Sequence, residues 1–203
     1  MAIWQWLADV LRPFFTLEWL AAGLGLLNVG LLVRRSIWNY PFGLAMVALY
    51  FFVFFEARLY SDVLLQIFFF AVQLYGWRNW VRASRAGEVP VAVLTVRARL
   101  FWIAGTAAAS LVWGLGMARY TDAAAPLIDA AVAGASIAAQ ILMARRRIEN
   151  WVLWIAVDAV AIGLYASRDL YATSALYALF LLLSILGLIS WRRALRAQSG
   201  AGA

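Results

Sequence analysis

The sequence predicts an all-α integral membrane protein of seven transmembrane helices, built as two parallel three-helix repeats joined by a linker helix in 3+1+3 order. Three observations carry this prediction. The 203 residues are 66% hydrophobic and only 13% charged, with a mean hydropathy of +0.84; soluble domains hold roughly 45–50% apolar residues. The apolar residues fall into runs of bilayer-crossing length, separated by short arginine-bearing breaks. The pattern RR-x-I-x-N occurs twice, at Arg34–Asn39 and Arg145–Asn150, 111 positions apart.

The chain opens on MAIWQWLADVLRPFF. Ile3, Trp4, Leu7, Val10 and Leu11 recur at helical spacing, so residues 1–13 read as an interfacial amphipathic segment. Asp9 and Arg12 interrupt the apolar run, and neither a basic leader nor a small-residue cleavage site is present, which argues against a secretory signal. Seven spans follow: Phe14–Val33, Tyr40–Phe55, Val63–Trp80, Leu100–Ala118, Ala123–Ala144, Trp151–Ala166 and Leu170–Trp191. A crossing takes about 20 apolar residues, so the second and sixth must borrow from their flanks. The longest break, ASRAGEVPVAVLT, holds Gly87 and Pro90 and reads as the linker between halves. The predicted organisation is thus 14–86 as the first repeat, 87–122 as the linker with the fourth helix, 123–197 as the second repeat and 198–203 as a tail.

The arginines give direction. All 17 basic residues are Arg, and 13 of them follow the first, third, fifth and seventh spans. Positive loops stay in the cytoplasm, which predicts an outside N-terminus and a cytoplasmic C-terminus. The net charge of +7 is therefore read as membrane orientation, with no nucleic-acid partner.

A shift of 111 tests the duplication. It places Arg34, Arg35, Ile37 and Asn39 on Arg145, Arg146, Ile148 and Asn150 without gaps. Leu59, Tyr60, Gly76 and Trp80 then fall on Leu170, Tyr171, Gly187 and Trp191. In all, 16 of the 53 positions 34–86 are identical, where about five or six would coincide by chance in segments of this composition. Four spans separate equivalent helices, so the repeats run parallel. That is a transporter architecture of the SWEET type, with substrate held near the midplane between the repeats.

The polar residues inside the spans are then the candidates. Gln66 and Gln73 lie seven apart on one face of the third helix, with Trp77 continuing the stripe, and their counterparts Tyr177 and Ser184 are also polar. They line a cavity or bond helix to helix. Asn150, Trp154 and Asp158 follow at i, i+4 and i+8 on the sixth helix. An acidic residue at that depth is a functional candidate, against the alternative of a protonated packing group. Trp154 offers a flat π face, whereas Trp80, Trp151 and Trp191 fit an interfacial belt beside the arginines. Asn39 and Asn150 open helices as caps, Pro41 fits a first turn or marks a gate, and Gly76 and Gly187 permit close helix approach.

The chain has no Cys and no His, which removes the thiolate and imidazole ligands and the commonest general base. No HExxH, GxSxG or Walker pattern occurs, and GLGLLNVG lies within a span with no phosphate-binding context. An enzyme, a metal site and a cofactor are not expected.

The stretches WNYPFGL, LYSDVLLQIFFFAVQLYGWRNW, RRRIENWVLWIAVDAVAIGLY and LYATSALYALFLLLSILGLISW resemble the PnuC family of bacterial vitamin-precursor transporters, from about Leu17 to Arg193. The resemblance implies a multi-pass protein of the bacterial inner membrane with a SWEET-like fold, assembled as a homotrimer. It implies facilitated uptake of nicotinamide riboside by alternating access, with cytoplasmic phosphorylation trapping the substrate. Thiamine is the alternative cargo, and a non-transporting structural membrane protein the alternative class. On matching positions, the resemblance makes Gln66, Gln73, Asn150, Trp154 and Tyr177 substrate-binding residues for ring stacking and hydrogen bonding. Asp158 joins them as a position that varies with cargo, and Asn39 and Pro41 stand as gate or helix-cap candidates.

Overall fold

A computed structural model describes residues 17–56, 60–84, 89–122, 125–167 and 169–200. The expected amphipathic segment 1–13, with Gly87, lies outside them. The described chain forms seven helices: α1 (Leu17–Val33), α2 (Asn39–Glu56), α3 (Tyr60–Ala83), α4 (Val96–Tyr120), α5 (Pro126–Ala144), α6 (Glu149–Ala166) and α7 (Tyr171–Gly200). Of these, α2, α4, α5, α6 and α7 are long and apolar enough to cross a membrane. Helix α1 is apolar but shorter, and α3 carries Gln66, Gln73, Arg78 and Asn79 along its length. Each of the seven helices exposes large apolar side chains, as a lipid-embedded bundle requires.

The RR-x-I-x-N stretches have a structural explanation. Each ends one helix and starts the next. Arg35 N–H donates to Leu32 O at 2.9 Å and Ser36 N–H to Leu31 O at 3.0 Å, with Arg35 at φ 57°. Arg146 and Arg147 N–H repeat the pattern on Met143 and Leu142 O, both at 2.8 Å, with Arg146 at φ 59°. These are Schellman caps, whose left-handed residue usually is glycine. Asp169 closes α6 in the same way at φ 59°.

Asn39 and Asn150 do not cap as expected. Each donates its amide back to the preceding turn, to Ser36 O and Arg147 O respectively, both at 2.6 Å, and each Oδ1 has no hydrogen-bond partner among the described residues. The reason is positional: both residues already lie within the first helical turn, where the nearest free group is a turn carbonyl behind them. Pro41 sits in the first turn of α2, where its missing N–H costs nothing.

Helix contacts run α1–α2, α2–α3, α5–α6 and α6–α7, with α1–α7 and α3–α5 joining the two groups, while α4 packs on α5. Matching α1, α2, α3 to α5, α6, α7 exchanges the two joining contacts with each other. Gly76 lets α3 close on α2, since a Cβ there would lie 2.7 Å from the Tyr40 hydroxyl. Gly187 does the same for α7 on α6, at 2.5 Å from the Trp151 ring.

Trp80, Trp151 and Trp191 correct the belt reading. All three are 0% exposed and centre an apolar cluster with Tyr40, Leu32 and Met143 at the arginine-rich end. The glycines open the room for this cluster: Gly187 for the Trp151 ring and Gly76 for Tyr40.

The α3–α4 linker is not a free loop. Val89 and Val91 are buried in the same cluster, and Ala92 forms a parallel bridge with Arg147. Ala92 N–H donates to Arg146 O, and Ile148 N–H donates to Ala92 O, both at 3.0 Å. The Arg35 guanidinium reaches Val89 O at 3.3 Å and that of Arg147 reaches Val93 O at 3.1 Å. Glu149 Oε1 accepts from Arg99 Nε and from Leu94 N–H, both at 2.9 Å. Helix α7 runs to Gly200, past its predicted end and into the predicted tail, because Ala, Leu and Arg sustain it. The Gln198 amide, turned to pair with both groups, then meets Val91 O and N–H at 3.0 and 3.2 Å.

Candidate functional site

A polar set is buried among α1, α2, α3, α6 and α7, where an unpaired amide or carboxyl is costly and needs a reason. Gln66 and Gln73 are buried on α3, Asp158 on α6, Ser184 on α7 and Asn28 on α1. Two groupings bring these side chains together.

On one side Asn28 donates Nδ2 to Asn39 O at 2.7 Å, tying α1 to the first turn of α2. Gly43, one turn further along α2, leaves the space that Asn28 Nδ2 and Gln73 Oε1 occupy; a Cβ there would overlap both atoms. Gln73 Oε1 is buried with no hydrogen-bond partner among the described residues. Such an acceptor lowers stability until a donor meets it.

On the other side Ser184 Oγ donates to Asp158 Oδ2 at 3.0 Å. Ser184 is the counterpart of Gln73 under the shift of 111, so both α3 and α7 present a polar group at this position. Tyr177, two turns before Ser184, stacks on Tyr165 at 5.2 Å and 23° and meets Phe180 edge-on at 6.1 Å. Trp154 is half-buried, one turn before Asp158 on α6.

The predicted residues therefore divide. Gln73, Asp158 and Tyr177 each join an interior grouping. Gln66 is buried seven residues before Gln73 on the same helix. Asn150 stands apart at the arginine-rich end, 0% exposed, its amide committed to Arg147 O. Asn28, Tyr165 and Phe180 were missed. Tyr165 continues the Trp154–Asp158 face by two more turns, and Asn28 is the lone amide in GLGLLNVG; both signals stand in the sequence. Together these groups offer amide donors and acceptors, a carboxyl and aromatic faces, which suit a flat, polar ring compound and hold no nucleophile–base pair.

A family model described as nicotinamide mononucleotide transporter matches residues 16–193. The chain belongs to this family, that of the PnuC transporters. The nicotinamide riboside transporter PnuC of Escherichia coli is 30% identical, over 91% of this chain and 89% of its own length. That of Neisseria mucosa is 30% identical over 94% and 77%. The riboflavin/roseoflavin transporter RibM of Streptomyces davaonensis is 29% identical over 83% and 80%. The crystal structure of the vitamin B3 transporter PnuC superposes with a TM-score of 0.77 at 29% identity, covering 95% of this chain and 87% of that one. The chain is accordingly a multi-pass membrane protein of the bacterial inner membrane, in a family of transporters.

Proposed function

We propose that this protein takes up nicotinamide riboside by facilitated diffusion, alternating between outward and inward access, with cytoplasmic phosphorylation trapping the substrate. The observation that carries the proposal is the pair of polar groupings inside a membrane-spanning bundle. Gln73 supplies an unpaired acceptor and Asp158 a carboxyl, and both lie in a chain whose E. coli and Neisseria relatives are named nicotinamide riboside transporters. The riboside is a flat ring cation bearing a carboxamide and ribose hydroxyls. Its ring suits Tyr177, Tyr165 and Trp154, its charge suits Asp158, and its amide suits Gln73 and Gln66.

The arginine-rich end, with Arg34, Arg35, Arg145, Arg146, Arg147, Arg192 and Arg193, is the cytoplasmic one. The α1–α3 group (14–86) and the α5–α7 group (123–197) then rock about the site between them. No gradient is needed, because conversion of the riboside to its phosphate keeps the inward flux running.

Purified protein in liposomes tests this. Labelled nicotinamide riboside should enter saturably until inside and outside concentrations match, with or without a pH gradient. A riboside kinase and ATP sealed inside should raise the plateau well above that level. Trp154→Ala should lower uptake about tenfold with the fold retained. Saturable uptake of thiamine or riboflavin with none of the riboside would overturn the cargo, and dependence on a proton gradient would overturn the passive mechanism.

A further inference from the structure

Two of the three buried tryptophans do more than fill space. Trp80 on α3 donates its indole N–H to Met143 O in the last turn of α5 at 3.2 Å. Trp191 on α7 donates its own to Leu32 O in the last turn of α1 at 3.1 Å. One residue away on each helix, Asn79 Nδ2 donates to Ala144 O at 2.8 Å and Ser190 Oγ to Val33 O at 3.0 Å. In both pairs of bonds, donor and acceptor alike lie 111 positions from their counterparts. The rings obey the same relation: Tyr40 meets Trp80 edge-on at 5.5 Å and 83°, and Trp151 meets Trp191 at 5.5 Å and 88°. Trp80 and Trp191 then touch one another at 5.8 Å.

All four bonds share three properties. They run between the α1–α3 group and the α5–α7 group. They lie at the arginine-rich end. They use single side-chain donors on last-turn carbonyls, bonds weak enough to exchange without unfolding a helix. We infer that these four bonds, centred on Trp80 and Trp191, form a latch that closes the arginine-rich end, and that the latch must release for substrate to leave on that side. The inference rests on the reading of the two groups as the moving parts. A two-state element of this kind shifts population when its bonds are removed from one state only.

The absence of cysteine makes the test direct, since one introduced thiol is the only thiol. Ser184→Cys reports access to the interior, and Ala197→Cys, on the exposed last part of α7, reports which vesicle face carries the arginine-rich end. Both are made in the full-length chain, in right-side-out and everted vesicles, with a membrane-impermeant maleimide as probe. Trp80→Phe with Trp191→Phe keeps one aromatic ring at each position, smaller than the indole, and removes both N–H donors. Labelling of the Ser184→Cys thiol from the arginine-rich face should rise about fivefold, while labelling from the opposite face falls. Unchanged labelling, or an equal rise from both faces, would overturn the latch. Asn79→Ala with Ser190→Ala, which leaves the aromatic cluster intact, should shift labelling in the same direction and serves if the indole variants fail to fold. Labelling needs no substrate, so a parent protein that carried no nicotinamide riboside would sink the cargo while leaving this test standing.

Discussion

Ser184 on α7 holds Asp158 on α6 through a 3.0 Å hydrogen bond, with both residues at only 3% exposure. A carboxyl placed there depends on that hydroxyl. Ser184→Ala should destabilise the protein by about 1–3 kcal/mol by leaving the carboxyl short of a donor. Asp158→Asn, which keeps the shape and can still accept, should cost less. Thermal unfolding in detergent ranks the two, and the reverse order would contradict this account.

Gly43 is the narrowest point of the other grouping. Gly43→Ala puts a methyl group where Asn28 Nδ2 and Gln73 Oε1 now sit, so both amides must move. Uptake should fall about tenfold for a displacement of this kind in the proposed site. Adding Asn28→Ala to Gly43→Ala should return part of the lost stability, a coupling that a double-mutant cycle measures.

Gly187 and Gly76 make equivalent close approaches with unequal tolerance. A Cβ at Gly187 would lie 2.5 Å from carbons of the Trp151 ring, whereas one at Gly76 meets the Tyr40 hydroxyl first, at 2.7 Å. Gly187→Ala should cost about 1–3 kcal/mol as overpacking of a rigid ring. Gly76→Ala should cost less, because its nearest contacts, at 2.7, 2.9 and 3.0 Å, are longer than the three Trp151 ring contacts at 2.5, 2.5 and 2.6 Å that a Cβ at Gly187 would make. Comparing melting temperatures of the two variants decides it.

Glu149 anchors the extended linker through Leu94 N–H and Arg99. Glu149→Gln weakens both bonds by removing the charge. Hydrogen exchange at Leu94 should accelerate about tenfold, with global stability changed by about 1 kcal/mol or less because Arg99 is well exposed. Exchange at the parent rate would show that the linker is held without Glu149, by the Ala92 backbone pair and the arginine contacts to Val89 and Val93.

Much of the fold was legible. Seven helices near the predicted spans follow from apolar run length, since a bilayer-crossing run has few alternatives to helix. Gly76 and Gly187 were legible because a small residue repeated at one register implies close packing. Trp80, Trp151 and Trp191 were misread for a physical reason. In a membrane protein both lipid-facing and buried faces are apolar, so periodicity does not tell a buried indole from an anchoring one. Asn39 and Asn150 were misread because a cap depends on where the helix begins, a matter of one or two residues. The Asp158–Ser184 and Gln73–Asn28 neighbours join different helices, and no spacing along one helix reports such a pair.

The sequence by itself determined the membrane class, the helix count, the one-sided arginines and the 111-residue echo. These depend on composition and on order along the chain, and bilayer energetics leaves little choice once they are set. Only the tertiary structure decided what the echo does. It turned Arg35 and Arg146 into left-handed helix caps, sent the Trp80 and Trp191 indoles across to the opposite group of helices, and drew Val89–Val93 beneath both. Those outcomes depend on which carbonyl lies within about 3 Å of which donor, and that is settled by packing between helices far apart in the chain.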